Sequence, residues 1–450
     1  MIVKLSWPFA AGLPVLLLLS ACAGYTPRPL TPALDDAETQ QALARDGASL
    51  GRPYLQPAAI DLARPLDMNA VATIAVIANP DLKALRARAA IADAQAFAAR
   101  LLPDPNFSLG ANTVLSGPDP FLDLAGALGL DINALRTARV RREGAAALAK
   151  QVRLDLAWAE WQTAGQARLQ AARIISLERL LPIVTASEAT ARSQLERTMR
   201  AAGRGDLAAD QVQAARIAAF DALDRQRTTA RDLAAARLEL VRLLGLPPAT
   251  VLALAPPASA AIAPDPERLF DLAKQRRFDL MALQAGYGAQ EAALHKAILD
   301  QFPNLTLTIN TGRDSAGNAS IGPAVNFDLP IWNRNRGTIA IERATREALR
   351  SEYAARLFQT RADIAAAVNG LAIARQQRAA ILADLPALTR FAEAARSAAT
   401  RGDLPLANAE TAEQALRDKQ VLLAQDDQAI AEQTIALELL TGSLNETWPQ

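Results

Sequence analysis

The chain has 450 residues, one cysteine, one histidine and a formal net charge of +1. This near-neutral charge gives no reason to expect a nucleic-acid partner, and one cysteine with one histidine cannot form a metal site of the usual spacing. No glycine-rich phosphate loop follows a strand. We therefore expect a protein that is not an enzyme and has no metal or cofactor.

The first 21 residues have the pattern of a secretory signal. Lys4 precedes an apolar run that is too short to span a bilayer as a permanent helix. The run ends in Leu19-Ser20-Ala21-Cys22, which resembles a bacterial lipoprotein signal, and Cys22 is the single cysteine. We expect cleavage before Cys22 and attachment of lipid, including palmitate, to this residue. The resemblance also implies sorting to the outer membrane, because Ala23 rather than aspartate follows.

Residues 22–65 have no sustained period and predict a lipidated tether with one short helix. A helix is then predicted from Met68 to Leu102, where Pro103 and Pro105 prevent its continuation.

Two stretches near residues 106–132 and 305–329 each predict a pair of strands. Apolar and polar residues alternate in them with a period of two, which is typical of strands with one greasy and one polar face. Alternation over about ten residues is what a transmembrane β-barrel strand requires. The residues predicted to line the lumen of such a barrel are Asp123, Asp131, Thr306, Thr308, Asn310, Asn326 and Asp328.

The remaining sequence predicts long helices. Ala134–Ala202 is rich in Ala, Leu, Arg, Glu and Gln and would extend for about 100 Å. Helices are also predicted at 207–244, 266–300 and 338–400, and the last helix carries leucine or isoleucine every seven residues from Leu416 to Leu444. Such a repeat is typical of helices that wind around neighbours as coiled coils.

The chain contains a long internal duplication, at an offset of 197 or 198 residues. Pro105-Asn106-Phe107 matches Pro303-Asn304-Leu305, and Arg204-Gly205-Asp206-Leu207 matches Arg401-Gly402-Asp403-Leu404. The predicted organisation is a signal (1–21), a tether (22–65), a first repeat (66–246), a proline-rich linker (247–265), a second repeat (266–444) and a short tail (445–450).

Four strands cannot close a barrel alone. In hydrocarbon an open sheet edge leaves unpaired N–H and C=O groups, so only closed barrels are stable there. Two copies would give eight strands with a filled interior, and three would give twelve with room for a pore. The small polar residues on the inner face favour three copies.

These features together resemble the outer-membrane efflux protein family, the TolC-like outer membrane factors. The matching residues include Asn79-Pro80-Asp81-Leu82 and Phe327-Asp328-Leu329-Pro330-Ile331-Trp332, and the resemblance covers about residues 60–445. It implies a lipid-anchored homotrimer in the bacterial outer membrane, with a twelve-stranded β-barrel and a periplasmic α-helical barrel. It also implies two partners, a periplasmic adaptor protein and an inner-membrane pump.

The two Arg-Gly-Asp turns are the predicted periplasmic tips. The resemblance implies that the tips contact the adaptor and gate the mouth, and the carboxylates that often line this mouth are replaced here by Asn408 and Thr411. The candidate residues are Arg204, Gly205, Asp206, Asp210, Arg401, Gly402, Asp403 and Glu410. Their carboxylates would attract cations, or they would only solvate and cap the helix starts.

The predicted function is the passive exit duct of a tripartite efflux system for drugs or heavy metals. One alternative is an outer-membrane duct for type I secretion. Another is a periplasmic coiled-coil adaptor lipoprotein, which would have a single helical hairpin flanked by compact β domains.

Overall fold

The computed structural model describes residues 25–30, 40–52, 54–113, 122–256, 265–313 and 317–448. The chain divides into two units, Met1–Ala37 and Glu38–Gln450. In the first unit the described residues, 25–30, have no regular secondary structure. The predicted signal, its lipidation residue Cys22 and linker residues 257–264 lie outside the described residues.

The second unit is mainly helical with one small sheet, as the sequence predicts. Its elements in chain order are α1 (Gln40–Ser49), α2 (Met68–Ala78), α3 (Pro80–Ala98), β1 (Asn106–Thr113), β2 (Leu122–Asp131), α4 (Ile132–Gly203), α5 (Ala209–Leu243), α6 (Pro266–Arg276), α7 (Phe278–Leu299), β3 (Leu305–Arg313), β4 (Ala319–Phe327), α8 (Arg336–Arg401), α9 (Leu406–Thr441) and a 3₁₀ turn (Asn445–Thr447). The same order of two short helices, two strands and two longer helices therefore occurs twice.

The longest helices are α4 with 72 residues and α8 with 66. Both consist largely of good helix formers, and both continue through an internal proline, Pro182 in α4 and Pro386 in α8. At 1.5 Å per residue, α4 is about 108 Å long. Among the described residues, no helix is both long and apolar enough to cross a membrane.

The prediction of one continuous helix before each strand pair is wrong. In the first repeat the helix stops at Asn79, whose side-chain oxygen accepts a hydrogen bond from the Leu82 N–H, and Pro80 begins a new helix. In the second repeat Arg277 adopts an extended conformation between α6 and α7. The apolar spacing runs through both breaks, so periodicity alone does not reveal them.

From Gln40 onward the predicted tether (residues 22–65) contains the one short helix predicted for it, and this part is packed rather than free. Helix α1 and the segment after it pack against other elements of the second unit, and Leu43, Tyr54, Leu55 and Ile60 are buried there. Leu43 and Ile60 belong to one apolar cluster, and Tyr54 and Leu55 belong to another, so the segment is buried without a regular apolar period.

The four strands form one antiparallel sheet in the order β1-β2-β3-β4. Leu128 of β2 pairs with Phe107 of β1 and with Ile309 of β3, and Ile309 in turn pairs with Pro323 of β4. Strands β1 and β4 therefore each have one neighbour within the described part of the chain.

Each repeat ends on a glycine that packs against the break between its own two short helices. Gly245 follows α5 with a φ of +61°, and a Cβ atom there would lie 2.3 Å from the Ala78 carbonyl oxygen. Gly442 follows α9 with a φ of +70°, and its Cβ atom would lie 2.9 Å from backbone atoms of Arg276. Both positions require glycine for space and for the left-handed backbone. We call each contact a closing-glycine contact.

A side chain at each break strengthens the closing-glycine contact. The Asn79 Nδ2 atom donates to the Leu243 carbonyl at 2.9 Å, and the Arg277 Nη1 atom donates to the Leu440 carbonyl at 3.3 Å. These carbonyls lie at the ends of α5 and α9, where no helical N–H remains to pair with them. Each long returning helix is thus attached to the short helices of its repeat.

We expect Gly245→Ala to destabilise the protein by about 2 kcal/mol or more, because the new methyl group meets the Ala78 carbonyl and the left-handed backbone becomes strained. The measurement is the denaturant midpoint of the helical circular dichroism signal. Gly203→Ala is the matched control, since a Cβ atom there has nothing within 4 Å. Equal midpoints for the two variants would contradict the closing-glycine contact.

Candidate functional site

The sheet has one polar face that contains six of the seven residues predicted to line a lumen. Asp131 pairs with Thr306, Thr306 pairs with Asn326, and residues directly opposite in a sheet share a face. Thr308 and Asn310 lie at every second position after Thr306 along β3, so they share its face. Asp123 lies an even number of positions from Asp131 along β2, opposite Asn112 of β1, so it is on the same face as Asp131. The structure therefore brings Asp123, Asp131, Thr306, Thr308, Asn310 and Asn326 to a single surface.

Two of the predicted lining residues differ from the expectation. Asp328 lies one residue beyond β4, so the pairing of the sheet does not assign it to a face. Asp131 lies on the polar face, but its carboxylate accepts a hydrogen bond from the Ala134 N–H at 2.9 Å and caps the start of α4. The helix predicted from Ala134 begins at Ile132, so Asp131 is both the last residue of β2 and the N-cap of α4.

The opposite face of the sheet is apolar and exposed. The side chains that share it include Phe107, Leu109, Leu122, Leu124, Leu128, Leu307, Ile309, Ile321, Val325 and Phe327. Ile321 is 79% exposed and Phe107 is 71% exposed. A contiguous apolar surface of this kind marks a contact with lipid or with another protein.

The two Arg-Gly-Asp turns have the same backbone conformation. Gly205 and Gly402 have φ values of +80° and +81°. In the first turn the Asp206 N–H donates to the Ala201 carbonyl, and in the second the Asp403 N–H donates to the Ala398 carbonyl. These are the hydrogen bonds of a Schellman helix end, which requires a left-handed residue such as glycine.

Each turn also has an ion pair across its glycine. The Arg204 Nε atom lies 2.9 Å from an Asp206 carboxylate oxygen, and Arg401 and Asp403 repeat this pair at the same distance. All four side chains are more than half exposed, and exposed pairs contribute about 0–1 kcal/mol to stability. The arginines partly neutralise the carboxylates that were predicted to attract cations.

The other two tip carboxylates have different environments. Asp210 is exposed in the first turn of α5, and its carboxylate accepts a hydrogen bond from the Gln211 N–H at 2.9 Å. Glu410 is buried and forms an ion pair with Arg197, which joins α9 to α4. Glu410 is therefore paired within the chain, and its role at the mouth stays a prediction. Sequence reasoning missed Arg197 because more than 200 residues separate the two partners.

A charged cluster around Glu160 was also missed in the sequence. Glu160 is 1% exposed on α4, and its carboxylate accepts hydrogen bonds from Arg52 at 2.8 Å, Tyr54 at 2.6 Å and Arg86 at 2.7 Å. The Tyr54 ring packs edge-on against Trp161, with the ring centroids 5.3 Å apart. We call these contacts the Glu160 clamp. It fastens the segment after α1 onto the long helix α4.

The Glu160 clamp shifts the pKa values of its members. Burial alone would raise the pKa of Glu160, but hydrogen bonds from Arg52, Tyr54 and Arg86 outweigh burial and hold this pKa below its ordinary value of 4.5. Burial, together with the charge of Glu160, raises the pKa of Tyr54. Glu160 is therefore ionised and Tyr54 is neutral at neutral pH.

We expect Glu160→Gln to lower the stability by about 1–3 kcal/mol at pH 7, because two arginines lose their anionic acceptor. Since the folded-state pKa of Glu160 is depressed, its contribution is complete above the ordinary carboxyl pKa and is lost as the pH falls through the folded-state value. The difference between the wild-type and variant thermal midpoints should therefore shrink below about pH 4. Glu239→Gln, in an exposed pair with Arg242, is the control. A difference that does not change with pH would contradict the assignment.

The described residues contain no group of three or more His, Cys, Asp or Glu side chains that could hold a metal ion. The surfaces that remain as candidates are therefore the two-faced sheet and the helix tips.

Comparison with known proteins finds a family model that matches most of the second repeat. Residues 269–443, from α6 to just beyond α9, match the model of the family described as outer membrane efflux protein. No curated protein sequence is detectably similar to the chain.

Several solved structures have the same fold. The outer membrane protein VceC of Vibrio cholerae is 17% identical with a TM-score of 0.67, over 84% of this chain and 96% of that chain. The outer membrane channel CmeC of Campylobacter jejuni is 14% identical with a TM-score of 0.67, over 92% and 94%. The open state of the outer membrane channel MtrE of Neisseria gonorrhoeae is 16% identical with a TM-score of 0.63, over 94% and 98%. Residues 269–443 are thus similar to the outer membrane efflux protein family, and most of the chain has the fold of these solved outer-membrane structures.

Proposed function

We propose that three copies of this chain form an outer-membrane channel, the passive exit duct of an efflux system. The observation that carries this proposal is the sheet, which has one polar face, one exposed apolar face and two edge strands with a single neighbour each. Such a sheet cannot be stable alone in a membrane, because each unpaired backbone group in hydrocarbon costs several kcal/mol. Three copies would supply twelve strands and pair every edge.

The two faces of the sheet fit this arrangement. The apolar face, with Phe107, Leu128 and Ile309, would contact lipid, and the polar face, with Thr308 and Asn310, would line the pore. Because twelve strands leave more interior space than eight, the small side chains of the polar face would surround water.

The long helices also leave faces for neighbouring copies. Helix α5 packs on α4, yet Ile217 and Phe220 on α5 remain more than half exposed. Helix α8 likewise leaves Phe358 and Phe391 more than 60% exposed. If α5 of one copy packed on α8 of the next, the contact would join two different surfaces, and a ring of three copies would bury both.

In this proposal the helices extend into the periplasm, and the tips meet an adaptor protein that connects the duct to an inner-membrane pump. Cys22, if lipidated, anchors each chain in the outer membrane. A duct for type I secretion would use the same architecture. The adaptor hypothesis is not favoured, because the channel fold extends over both repeats.

We expect the purified trimer to give discrete currents in a planar lipid bilayer. Thr308→Cys should lose conductance when a charged, membrane-impermeant thiol reagent is added, because the new group would narrow the pore. Ile309→Cys, the next residue on β3, should not respond, since its side chain faces the other side of the sheet.

The wild-type protein, whose only cysteine is Cys22, controls for reaction elsewhere in the chain. The trimer is checked by native mass spectrometry. A trimer that inserts into the bilayer and responds equally at both positions would contradict the assigned pore face. A protein that stays soluble and never inserts would contradict the channel proposal.

We expect Gly402→Val to reduce export several-fold while leaving the trimer intact. Valine strains the left-handed backbone at this position by about 1–3 kcal/mol. The resulting distortion would stay within the turn, because a Cβ atom there has no neighbour within 4 Å. The measurements are dye efflux from cells and native mass. Gly317→Val is the matched control, since Gly317 has a φ of +84° in equally open space but lies between β3 and β4. If Gly402→Val lost the trimer and Gly317→Val kept it, the tip would be needed for assembly of the trimer instead.

A further inference from the structure

The two junctions between the sheet and the long helices have the same excess of positive charge. The junction of β2 with α4, residues 131–149, contains four arginines and two carboxylates, and the junction of β4 with α8, residues 328–346, contains the same numbers. Each junction therefore has a net charge of +2, whereas the whole chain of 450 residues has +1. We call these two stretches the basic junctions.

Three of the four carboxylates in the basic junctions already have partners within the chain. Asp131 caps α4, and Glu143 lies 2.8 Å from the Arg139 Nε atom. The Glu342 carboxylate accepts a hydrogen bond from the Gln290 side chain. These groups are therefore not free to neutralise the remaining arginines.

Three exposed arginines of the second basic junction have no carboxylate partner in the described part of the chain. They are Arg334, Arg336 and Arg343. The same junction has one exposed carboxylate without such a partner, that of Asp328. Because the arginine side chains are exposed, a ligand outside the chain can reach them.

The other two segments at this end of the sheet do not cancel the excess charge. Residues 96–105, which lead into β1, contain one arginine and one carboxylate, those of Arg100 and Asp104. The end of α7, which leads into β3, contains Lys296 and Asp300, and these two side chains lie 2.7 Å apart. Each of these segments is neutral, so the excess of the basic junctions remains.

Exposed apolar side chains lie within the second basic junction. Helix α4 follows β2 directly, but residues 328–335 separate the end of β4 from the start of α8. We call residues 328–335 the junction loop. Its Leu329, Ile331 and Trp332 are 64%, 59% and 91% exposed, whereas Trp161 and Trp448 are buried. Exposed apolar side chains grouped in this way mark a contact with lipid or with another protein.

The junction loop has a fixed position at the end of the sheet. Arg334 and Asn335 have φ values of +46° and +52°, a backbone conformation that residues other than glycine rarely adopt. The Asn335 Nδ2 atom donates to the Ala297 carbonyl of α7 at 2.8 Å. This hydrogen bond holds the loop, and the arginine within it, between the sheet and the start of α8.

We propose that the basic junctions and the junction loop bind anionic phospholipids at the periplasmic surface of the membrane. This inference rests on the proposed function, which places the sheet in the membrane and this end of it at the periplasmic side. Trp332 would lie among the lipid headgroups, where tryptophan is enriched. Arg334 and Arg336 would bind lipid phosphates, because a guanidinium group can pair with phosphate through two parallel hydrogen bonds.

A lipid surface fits this combination of side chains better than the other surroundings that a channel offers. An aqueous pore would leave Leu329, Ile331 and Trp332 in water, which is unfavourable for apolar groups. In a closed ring, a neighbouring copy would place the start of its β1 beside the end of β4. Residues 96–105 there are neutral, so they would bring no net negative charge to the arginines.

Trp332 reports whether lipid reaches the junction loop. The full chain, purified as its trimer, is reconstituted into vesicles of equimolar phosphatidylcholine and phosphatidylglycerol, with bromine on the phosphatidylglycerol acyl carbons nearest the headgroup. Bromine quenches tryptophan fluorescence on contact, so we expect strong quenching in the wild type and little in Trp332→Phe. Trp158 lies about 40 Å along α4 from its start and is out of reach. Equal quenching in both proteins, or no quenching in the wild type, would overturn the proposal.

The charge requirement is tested by moving the bromine to the phosphatidylcholine of the same mixture. In the wild type, brominated phosphatidylglycerol should quench Trp332 more strongly than brominated phosphatidylcholine. The double variant Arg334→Gln/Arg336→Gln should lower this preference about fivefold or more, and Arg334→Lys/Arg336→Lys should retain most of it. Arg313→Gln, at the opposite end of β3, is the matched control and should behave as the wild type does. Equal quenching by the two lipids in the wild type, or an unchanged preference in the glutamine variant, would overturn the proposal.

Failure of this inference can be told apart from failure of the proposed function. If the trimer conducts in a planar bilayer but bromine does not quench Trp332, a neighbouring copy covers the junction loop. That result would overturn the lipid contact and leave the channel proposal standing. A protein that never enters the vesicles would overturn both.

Discussion

The arrangement of the long helices depends on one contact that occurs twice, a glycine at the end of each returning helix against the break between two short helices. Gly245 and Gly442 leave no room for a Cβ atom, so the backbones touch directly. Asn79 and Arg277 then donate to the last carbonyls of α5 and α9. Because α5 and α9 are 35 and 36 residues long, a small change of angle at this contact would become a displacement of several ångströms at the tips.

The repeats share their backbone features and differ in their buried charges. The glycines, the helix breaks and the tip turns recur at the offset of the duplication, whereas the positions that correspond to Glu160 and Arg168 hold Leu357 and Ala365. Glu160 and Arg168 both lie on α4, and their partners come from the segment after α1, from α3 and from α9. The charges therefore fasten together parts of the chain that the duplication itself does not relate.

The sequence was sufficient wherever a local pattern determines the outcome. Alternation placed Thr308 and Ile309 on opposite faces, because a strand has a period of two whatever surrounds it. The glycines of the two tips were likewise visible as residues suited to a left-handed turn. The helix break at Arg277 was not visible, because nothing in the local sequence forbids a helix there. The pairs Arg197–Glu410 and Arg168–Glu438 join residues more than 200 positions apart, and no spacing rule predicts them.

Along the proposed passage, fewer carboxylates lack a partner than the sequence indicates. Of the two carboxylates on the polar face of the sheet, Asp131 already caps α4. At the tips, Asp206 and Asp403 pair with arginines, and Glu410 is buried against Arg197. A pore lined by hydroxyls and amides, with most of its carboxylates already paired, would hold no ion strongly. Such a surface suits a passive duct, in which the choice of cargo is made by the proteins that deliver it.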